Sequence, residues 1–395
     1  MGSVMTEYTR IAELLSSRGR GRIGALASLL RSLSQEEICP AVRLLTGSIR
    51  PSWSPGELTG RDVVMDVLLS ISDEVEGVDL GEMAEHAIRH KRQRGIDESL
   101  LTIDHVHSVL NRVMKSKGRG SEGRRRALLT GLLLSAAPLE GRYIMLTAAG
   151  IRSGIGPKMI AKAISRAFGV DIERVWSAYS RLPEMGRVAE AASSGALDGI
   201  RLTPGFPFIM MEIPSVDVRS VHDAIAGSDH ICFARRGIRV QLHVSEERSW
   251  LFTSRRKDIS HLISGLEAEL SGSAMLEGEM YAGDDLSKII RLINRRRSSR
   301  RSSVRPSIVI WDALCIDGNE IVNLAYSERL SIASEVVGKI NDEALDISVA
   351  ETSEPEEAFR RGFPVVVRSP SAPYLLGGRS RTDLQIVGRF LSMRN

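Results

Sequence analysis

The spacing of apolar residues divides the chain into two regions with different periodicity. From residue 6 to about residue 200, apolar residues recur three and four positions apart, as in the segment 11–15. This period places them on one face of an α-helix. From about residue 205 onward, short alternating segments such as 238–244 are typical of strands, and helical segments such as 258–270 lie between them.

The pattern therefore predicts an all-α N-terminal domain, residues 1–200, and a second, α+β domain, residues 205–395. The segment LTPGFPF at 202–208 lies between them, and its proline and glycine content indicates a domain boundary.

Composition narrows the class of protein. Hydrophobic residues make up 43% of the chain and charged residues 26%, as in soluble globular proteins. No run approaches the roughly 20 apolar residues of a membrane span, and the N-terminus lacks the pattern of a signal peptide. We therefore expect a cytoplasmic protein without a membrane partner. Cys39, Cys232 and Cys315 lie far apart, which predicts buried thiols and argues against a disulfide framework or a zinc site.

Positive charge is concentrated in two segments, although the net charge is only +4. These are KSKGRGSEGRRR at 115–126 and RRRSSRRSSVR at 295–305. A single basic run is usually a solvated face or loop. Two runs in different halves of the chain favour a polyanionic partner.

Two features of the N-terminal region suit phosphate binding. Arg124, Arg125 and Arg126 begin a predicted helix, and guanidinium groups can contact phosphates with two hydrogen bonds. A glycine-rich turn then leads into another predicted helix, with Pro157 and Lys158 in its first turn. Such a turn can present backbone N–H groups to a phosphate, although alone it is more often a simple helix start. Beside the arginine cluster, it predicts phosphate binding.

His86 and His90 lie four residues apart on a predicted helix, a spacing that can bind a metal. The segment reads HAIRH and has no glutamate in the HExxH position, and Arg89, Lys91 and Arg92 are adjacent. An exposed polar face explains these residues, so the sequence assigns no metal ligand.

Ten short blocks of sequence lie along the chain. The helical region carries LTIDHVHSVL, GRGSEGRRRALLTGLL, PLEGRYI and IRSGIG. The later region carries, in order, GIRVQLH, TSRRKDI, LEGEM, WDALCIDG, SPSAPYLLGGRS and DLQIV. These blocks resemble those of archaeal-type ATP-dependent DNA ligases, and the six later blocks, in the right order, form a more specific signal than any single block.

The resemblance implies a DNA-binding domain followed by a degenerate, ATP-grasp-like nucleotidyltransferase (adenylation) domain. It implies double-stranded or nicked DNA as a partner, together with a possible replication or repair protein. The family's third domain, an OB-fold, would begin where this sequence ends, so we expect it to be absent. The residues expected to contact DNA are Arg119, Arg124, Arg125, Arg126, Arg142, Arg152 and Lys158.

Ligases of this family, as the resemblance implies, use ATP and Mg²⁺. A lysine in a KxDGxR motif attacks the α-phosphate of ATP, and the AMP then passes to the 5′-phosphate of a nick. The 3′-hydroxyl finally displaces AMP. The first step needs a nucleophilic amine, a metal ion that balances phosphate charge, and cations near the leaving group.

Several positions that carry this chemistry are altered here. Ala234 stands in place of the nucleophilic lysine, so no catalytic residue is assigned. Cys232, Arg236 and Phe363 stand where the family has carboxylates. The loss of three carboxylates would weaken Mg²⁺ binding, and arginine cannot replace the nucleophile because it stays protonated.

Cations are also lost near the end of the chain. The family's WLKxK motif is replaced by the segment 383–387, in which Gln385 and Val387 occupy the lysine positions. ATP and Mg²⁺ therefore remain possible cofactors by resemblance, with weakened binding.

Other positions of the family's nucleotide pocket keep a polar or aromatic residue. Trp311 takes the place of an adenine-stacking aromatic, although it could equally belong to the core. Arg239 and Glu279 could equally form a buried ion pair. The complete set of pocket remnants is Arg239, Arg255, Glu279, Trp311, Arg368 and Arg379.

These changes leave three hypotheses. The first is a catalytically inactive, ligase-like DNA-binding protein that acts as an accessory or regulatory factor in replication or repair. The second is a working ATP-dependent DNA ligase that uses a relocated lysine or a separate OB-fold subunit. Lys257 and Lys288 are the nearest lysines in sequence, but neither stands where the family has its lysine, just before the glycine turn. The third is a protein-interaction scaffold.

Overall fold

We obtained a computed structural model of the chain. It describes residues 6–54, 56–92, 100–151, 153–217, 230–234, 237–263, 266–268, 272–283, 286–294, 306–341, 346–350, 359–360 and 362–387. Arg152, Arg236 and the basic run 295–305 lie outside the described residues.

The chain forms two compact units, residues 1–179 with 184–200 and residues 180–183 with 201–395. The first unit is built from α-helices and the second combines strands with helices, which confirms the predicted fold class. Residues 180–183 belong to the second unit because Ile209 N donates to Ser180 O at 2.8 Å.

The helices of the first unit follow the apolar periodicity of the sequence. Their bounds are α1 Thr9–Ser16, α2 Arg22–Ser32, α3 Gln35–Thr46, α4 Arg61–Ile71, α5 Leu80–Arg89, α6 Ile103–Lys115, α7 Ser121–Ser135, α8 Pro138–Ala148, α9 Pro157–Phe168, α10 Ile172–Arg181 and α11 Met185–Ser193. Their apolar faces form one buried core. Side chains fix several helix starts: Asp79 caps α5 and Thr102 caps α6.

The turn between α8 and α9 approaches the end of α3 closely. Ile155 N donates to Leu45 O at 2.7 Å. A Cβ at Gly154 would lie 2.1 Å from the carbonyl carbon and oxygen of Thr46, so only glycine fits without a backbone shift. This contact fixes the position of the glycine-rich turn on the helical unit.

The described part of the second unit contains short strands and two longer helices. Their bounds are β1 Ser215–Asp217, β2 Ile231–Ala234, β3 Ile238–Ser245, β4 Ser249–Thr253, β5 Glu267–Ala268, β6 Ser273–Tyr281, α12 Leu286–Asn294, β7 Ser307–Ile316, β8 Asn319–Glu320, α13 Tyr326–Val337, β9 Ile340–Asn341, β10 Asp346–Val349, β11 Val365–Arg368 and β12 Leu384–Val387.

Most of these strands form two sheets. A six-stranded sheet has the order β10-β7-β6-β3-β4, with β8 paired to β7. A four-stranded sheet has the order β1-β12-β11-β2, in which Ala234 lies opposite Val365 and Phe233 opposite Val366.

The helix predicted at 258–270 is wrong. Its described part holds a short 3₁₀ helix, Ser260–Ile263, and strand β5. The side chain of Asp258 accepts from Ser260 N at 2.9 Å, and Ile259 N donates to Leu251 O at 2.8 Å. The segment therefore packs along β4 instead of forming a longer helix.

Candidate nucleotide pocket and DNA interface

A buried glutamate on β6 organises one part of the predicted nucleotide pocket. Glu277 accepts hydrogen bonds from Arg239 Nε at 3.0 Å and from Trp311 Nε1 at 3.1 Å, and it also pairs with the hydroxyl of Tyr374. Arg239 Nη1 donates to Met211 O at 2.8 Å. The ion-pair partner of Arg239 is thus Glu277, which corrects the suggested pairing with Glu279.

The charge states in this cluster follow from burial and contact. Burial raises the pKa of the Tyr374 hydroxyl well above its usual range, and the neighbouring Glu277 raises it further. Burial alone would lower the pKa of Arg239, but the charge and hydrogen bonds of Glu277, together with Tyr374, outweigh burial and raise that pKa. Glu277 therefore holds a charged Arg239 and a neutral Tyr374.

Trp311 is buried between protein groups. Its ring stacks on Phe233 with 5.0 Å between ring centroids and 23° between planes. It belongs to an apolar cluster with Phe233, Tyr326 and Val366. Both its stacking contact and its indole N–H are therefore used within the protein, as expected for a core residue.

A second cluster, the buried ion-pair network, consists of Asp312, Arg329, Arg368 and Asp383. Arg329 donates to both carboxylate oxygens of Asp312, at 2.8 and 3.1 Å. Arg368 donates from Nη1 to Asp312 at 2.7 Å and from Nε to Asp383 at 3.1 Å. Two guanidinium groups thus balance two carboxylates.

The network fixes the charge of Arg368. Burial disfavours the charged guanidinium, but the attraction of Asp312 and Asp383 outweighs this effect and raises its pKa. The guanidinium carbon lies 3.8 Å from the ring centroid of Tyr326, which adds a cation–π contact. Arg368 Nη2 has no hydrogen-bond partner within the described part of the chain.

Ala234, which we expect at the position of the family's lysine, lies against an apolar cluster. That cluster contains Cys232, Val365, Val367 and Ile386. Because strand residues alternate between the two faces of a sheet, Phe233 points to the opposite face, toward Trp311. Burial raises the pKa of the Cys232 thiol, so this surface offers neither a nucleophile nor an anionic ligand from Cys232.

The other predicted pocket residues are dispersed. Glu279 accepts from Gly237 N at 3.1 Å and therefore holds the glycine turn. Arg255 is exposed in the turn after β4. Arg379 is exposed, with its Nε 3.6 Å from Glu212 Oε1. The structure thus brings Arg239 and Trp311 together around Glu277 and places Arg368 in the buried ion-pair network.

Sequence reasoning missed five residues of these clusters, one of which, Asp383, lies in the matched block DLQIV. Glu277 and Asp312 lie inside the matched blocks LEGEM and WDALCIDG, so the blocks could have drawn attention to them. Tyr374 lies in the block SPSAPYLLGGRS. Arg329 lies on α13 outside every block, and no sequence signal marks it.

The predicted DNA contacts of the helical unit have different environments. Arg125 is buried and bonds to Glu57 and to the carbonyl of Ser116. Its guanidinium is used within the protein, so we remove Arg125 from the proposed DNA contacts. Arg126 pairs with Asp66 at the surface.

Arg142 is partly buried and lies between two carboxylates. Its Nη1 is 3.2 Å from Glu85 and its Nη2 is 3.6 Å from Asp79. By contrast, Arg119, Arg124 and Lys158 are exposed. These three cations remain the strongest candidates for phosphate contacts.

The loop 56–59 bonds to the ends of two helices. Glu57 N donates to Met114 O, near the end of α6, at 2.9 Å. Thr59 N donates to Ala148 O, at the end of α8, at 3.0 Å. The start of α7 and the turn before α9 follow these two helix ends directly. The loop therefore links the two chain segments that lead into the predicted phosphate-binding features.

Comparisons with known proteins identify the class. Family models described as "DNA ligase N terminus" and "ATP dependent DNA ligase domain" match residues 4–152 and 234–382. The chain belongs to the ATP-dependent DNA ligase family.

Two relatives are similar over most of this chain. A DNA ligase of Pyrobaculum arsenaticum is 28% identical over 392 residues, which cover 90% of this chain and 67% of the relative. DNA ligase 1 of Korarchaeum cryptofilum is 28% identical over 410 residues, which cover 97% and 75%.

A solved structure titled Pmar-Lig_PreS3 shares the fold. It has a TM-score of 0.54 and 11% identity, and the match covers 97% of this chain and 78% of that one. Within the described residues, no helix is both long and apolar enough to cross a bilayer.

Proposed function

We propose that this protein is a ligase-like DNA-binding protein that does not form the covalent AMP intermediate. It would act in the cytoplasm as an accessory or regulatory factor in DNA replication or repair. The observation that carries the proposal is Ala234, a methyl group packed among apolar side chains at the position of the family's nucleophile.

The other predicted residues of the nucleotide pocket support the same conclusion. Attack on the α-phosphate needs an amine, a metal ion and cations near the phosphates. Arg368 is charged, but Asp312 and Asp383 neutralise it inside the protein. Trp311 is buried against Phe233. These remnants serve packing and internal charge balance.

DNA binding is supported by the exposed cations of the helical unit. Arg119, Arg124 and Lys158 are exposed and can contact phosphates. Arg124 also donates to Arg119 O at 3.1 Å and to Lys117 O at 2.8 Å. These bonds order the segment that precedes α7, and phosphate contacts of this kind fix position without reading sequence.

Self-adenylylation tests the first half of the proposal. The full chain is incubated with labelled ATP and Mg²⁺ and then analysed by intact mass. We expect no adduct of AMP mass, whereas an active ATP-dependent DNA ligase treated identically gains one.

An adduct on the purified protein would overturn the proposal and support a working ligase with a relocated lysine. Mapping would then begin with Lys257 and Lys288. Lys257 is already engaged, because its ammonium donates to Ile293 O at 3.2 Å and to Asn294 Oδ1 at 3.0 Å.

Salt-dependent binding tests the second half. Affinity for nicked and intact duplexes is measured over a range of salt concentrations, with a triple variant R119Q, R124Q and K158Q. Each lost phosphate contact reduces the log–log salt slope by about 0.9, so we expect a decrease of roughly 2–3.

The control variant carries R174Q and R187Q, which remove two surface cations of the same unit outside the segment 115–160. It should retain the slope of the unmodified protein. Equal slopes for the triple variant and the unmodified protein would place DNA binding elsewhere, with the run 295–305 as the next segment to test. No measurable DNA binding by the unmodified protein would favour the scaffold hypothesis.

A further inference from the structure

We propose a binding site for a divalent transition-metal ion at the C-terminal end of α5. Its ligands are Glu74, His86 and His90, which we call the two-histidine site. One ligand atom from each residue lies within 4.8 Å of the other two. Glu76 is a neighbouring carboxylate, with its Oε2 4.0 Å from His86 Nε2.

Both imidazole rings are oriented by backbone carbonyls. His86 Nδ1 lies 3.3 Å from Glu74 O, and His90 Nδ1 lies 3.1 Å from His86 O. A carbonyl oxygen can only accept a hydrogen bond, so in a neutral imidazole Nδ1 carries the proton and Nε2 keeps the lone pair that a metal needs. Metal-binding histidines are commonly held in this way.

The backbone that carries the ligands is also fixed. Ser72 is buried, and its hydroxyl contacts the carbonyl oxygens of Glu74 and His90 at 2.9 and 3.1 Å. Glu74 N donates to the same hydroxyl oxygen at 3.1 Å. One side chain thus joins the loop that carries Glu74 to the end of the helix that carries both histidines.

The basic neighbours that argued against a metal are engaged elsewhere. Arg89 pairs with Glu85, and Arg92 pairs with Asp73. Lys91 Nζ donates to carbonyl oxygens at the end of α7, at 2.8 and 3.3 Å. Their positive charges are directed to these acceptors, and the carboxylate of Glu74 remains the anionic member of the two-histidine site.

The ligand set indicates the class of ion. Two imidazoles and one carboxylate suit Zn²⁺, Co²⁺ or Ni²⁺ better than Mg²⁺ or Ca²⁺, which prefer oxygen ligands. Tetrahedral bonds of about 2.0–2.1 Å place ligand atoms roughly 3.3 Å apart. The ligand atoms now lie within 4.8 Å of one another. Small rotations of the partly exposed side chains would shorten these distances to the value that a bound ion requires. A bound ion would then join the loop before α5 to its last turn.

Cobalt titration of the full chain, free of any purification tag, tests the site. We expect one equivalent of Co²⁺ to produce visible absorption bands, which Zn²⁺ removes and Mg²⁺ does not. The variants H86Q, H90Q and E74Q should each weaken Co²⁺ binding at least about tenfold. The matched control is H105Q, an exposed histidine on α6, and it should leave binding unchanged.

Thermal unfolding with and without Zn²⁺ provides a second measurement. Zn²⁺ should raise the melting temperature of the unmodified protein and of H105Q but not that of the double variant H86Q/H90Q. Equal cobalt affinity of the unmodified protein and the double variant would overturn the proposal, as would an equal loss in H105Q. A melting temperature insensitive to Zn²⁺ in the unmodified protein would also overturn it. DNA binding is measured separately, so this proposal and the proposed function can fail independently.

Discussion

Replacing Arg368 by methionine removes a buried guanidinium and leaves a side chain that still fills part of its volume. Arg368 bonds to Asp312 at 2.7 Å and to Asp383 at 3.1 Å, and all three residues are buried. Asp312 keeps its two bonds from Arg329. Asp383 keeps a backbone donor, Ser369 N, at 3.1 Å. The variant therefore leaves a buried carboxylate without its cation.

Breaking a buried ion pair by removing one partner commonly costs about 3–5 kcal/mol. The cation–π contact with Tyr326 is also lost. We expect R368M to lower the free energy of unfolding of the second unit by about 3–5 kcal/mol. If the free energy of unfolding decreases by about 2 kcal/mol per molar of urea, the urea concentration at the unfolding midpoint falls by about 1.5–2.5 M.

Urea unfolding followed by tryptophan fluorescence measures this change. R368K retains the charge and should lose less stability. Adding D383N to R368M removes the unpaired carboxylate and should recover part of the loss. An unchanged midpoint for R368M, together with weaker ATP binding, would refute the reasoning and show that Arg368 serves a nucleotide.

Three further predictions follow from single positions. A234K should not restore sealing of a nicked duplex in a gel assay with ATP and Mg²⁺, because its surroundings are apolar; substantial sealing would contradict an inactive pocket. G154A should lower the melting temperature, because its Cβ would lie 2.1 Å from the backbone of Thr46. The control G131A, with nothing within 4 Å of its Cβ, should maintain or raise the melting temperature. Burial lowers the pKa of His243 to about 3, so below pH 6.5 the unfolded chain binds a proton that the folded chain does not. Stability should therefore fall by about 1.4 kcal/mol per pH unit as pH decreases from about 6 to 4; H243Q should reduce this slope, and an equal slope would place the titration elsewhere.

The sequence by itself determined the two structural regions and the family. Apolar residues recur every three to four positions in the helical region and every two positions in the strands. This spacing is a local property of the chain, so it indicates helices and strands without knowledge of distant residues. The order of the matched blocks predicted the ligase family, which the comparisons confirm. The same blocks predict that Ala234 occupies the position of the family's lysine. The failure at 258–270 also has a local cause, since the side chain of Asp258 competes for backbone donors.

Only the tertiary structure decided which charged groups meet. Arg124 and Arg125 are adjacent in one basic run, yet Arg124 is exposed and Arg125 is buried against Glu57. Arg239 could have paired with either of two glutamates on β6, and its contact is with Glu277.

Arg329 and Asp383 are 54 positions apart in sequence, and both reach the buried network through Asp312 and Arg368. Local periodicity can predict that a residue faces inward. It cannot identify the partner of a buried charge, because desolvation makes that choice depend on atoms that the fold brings together from distant parts of the chain.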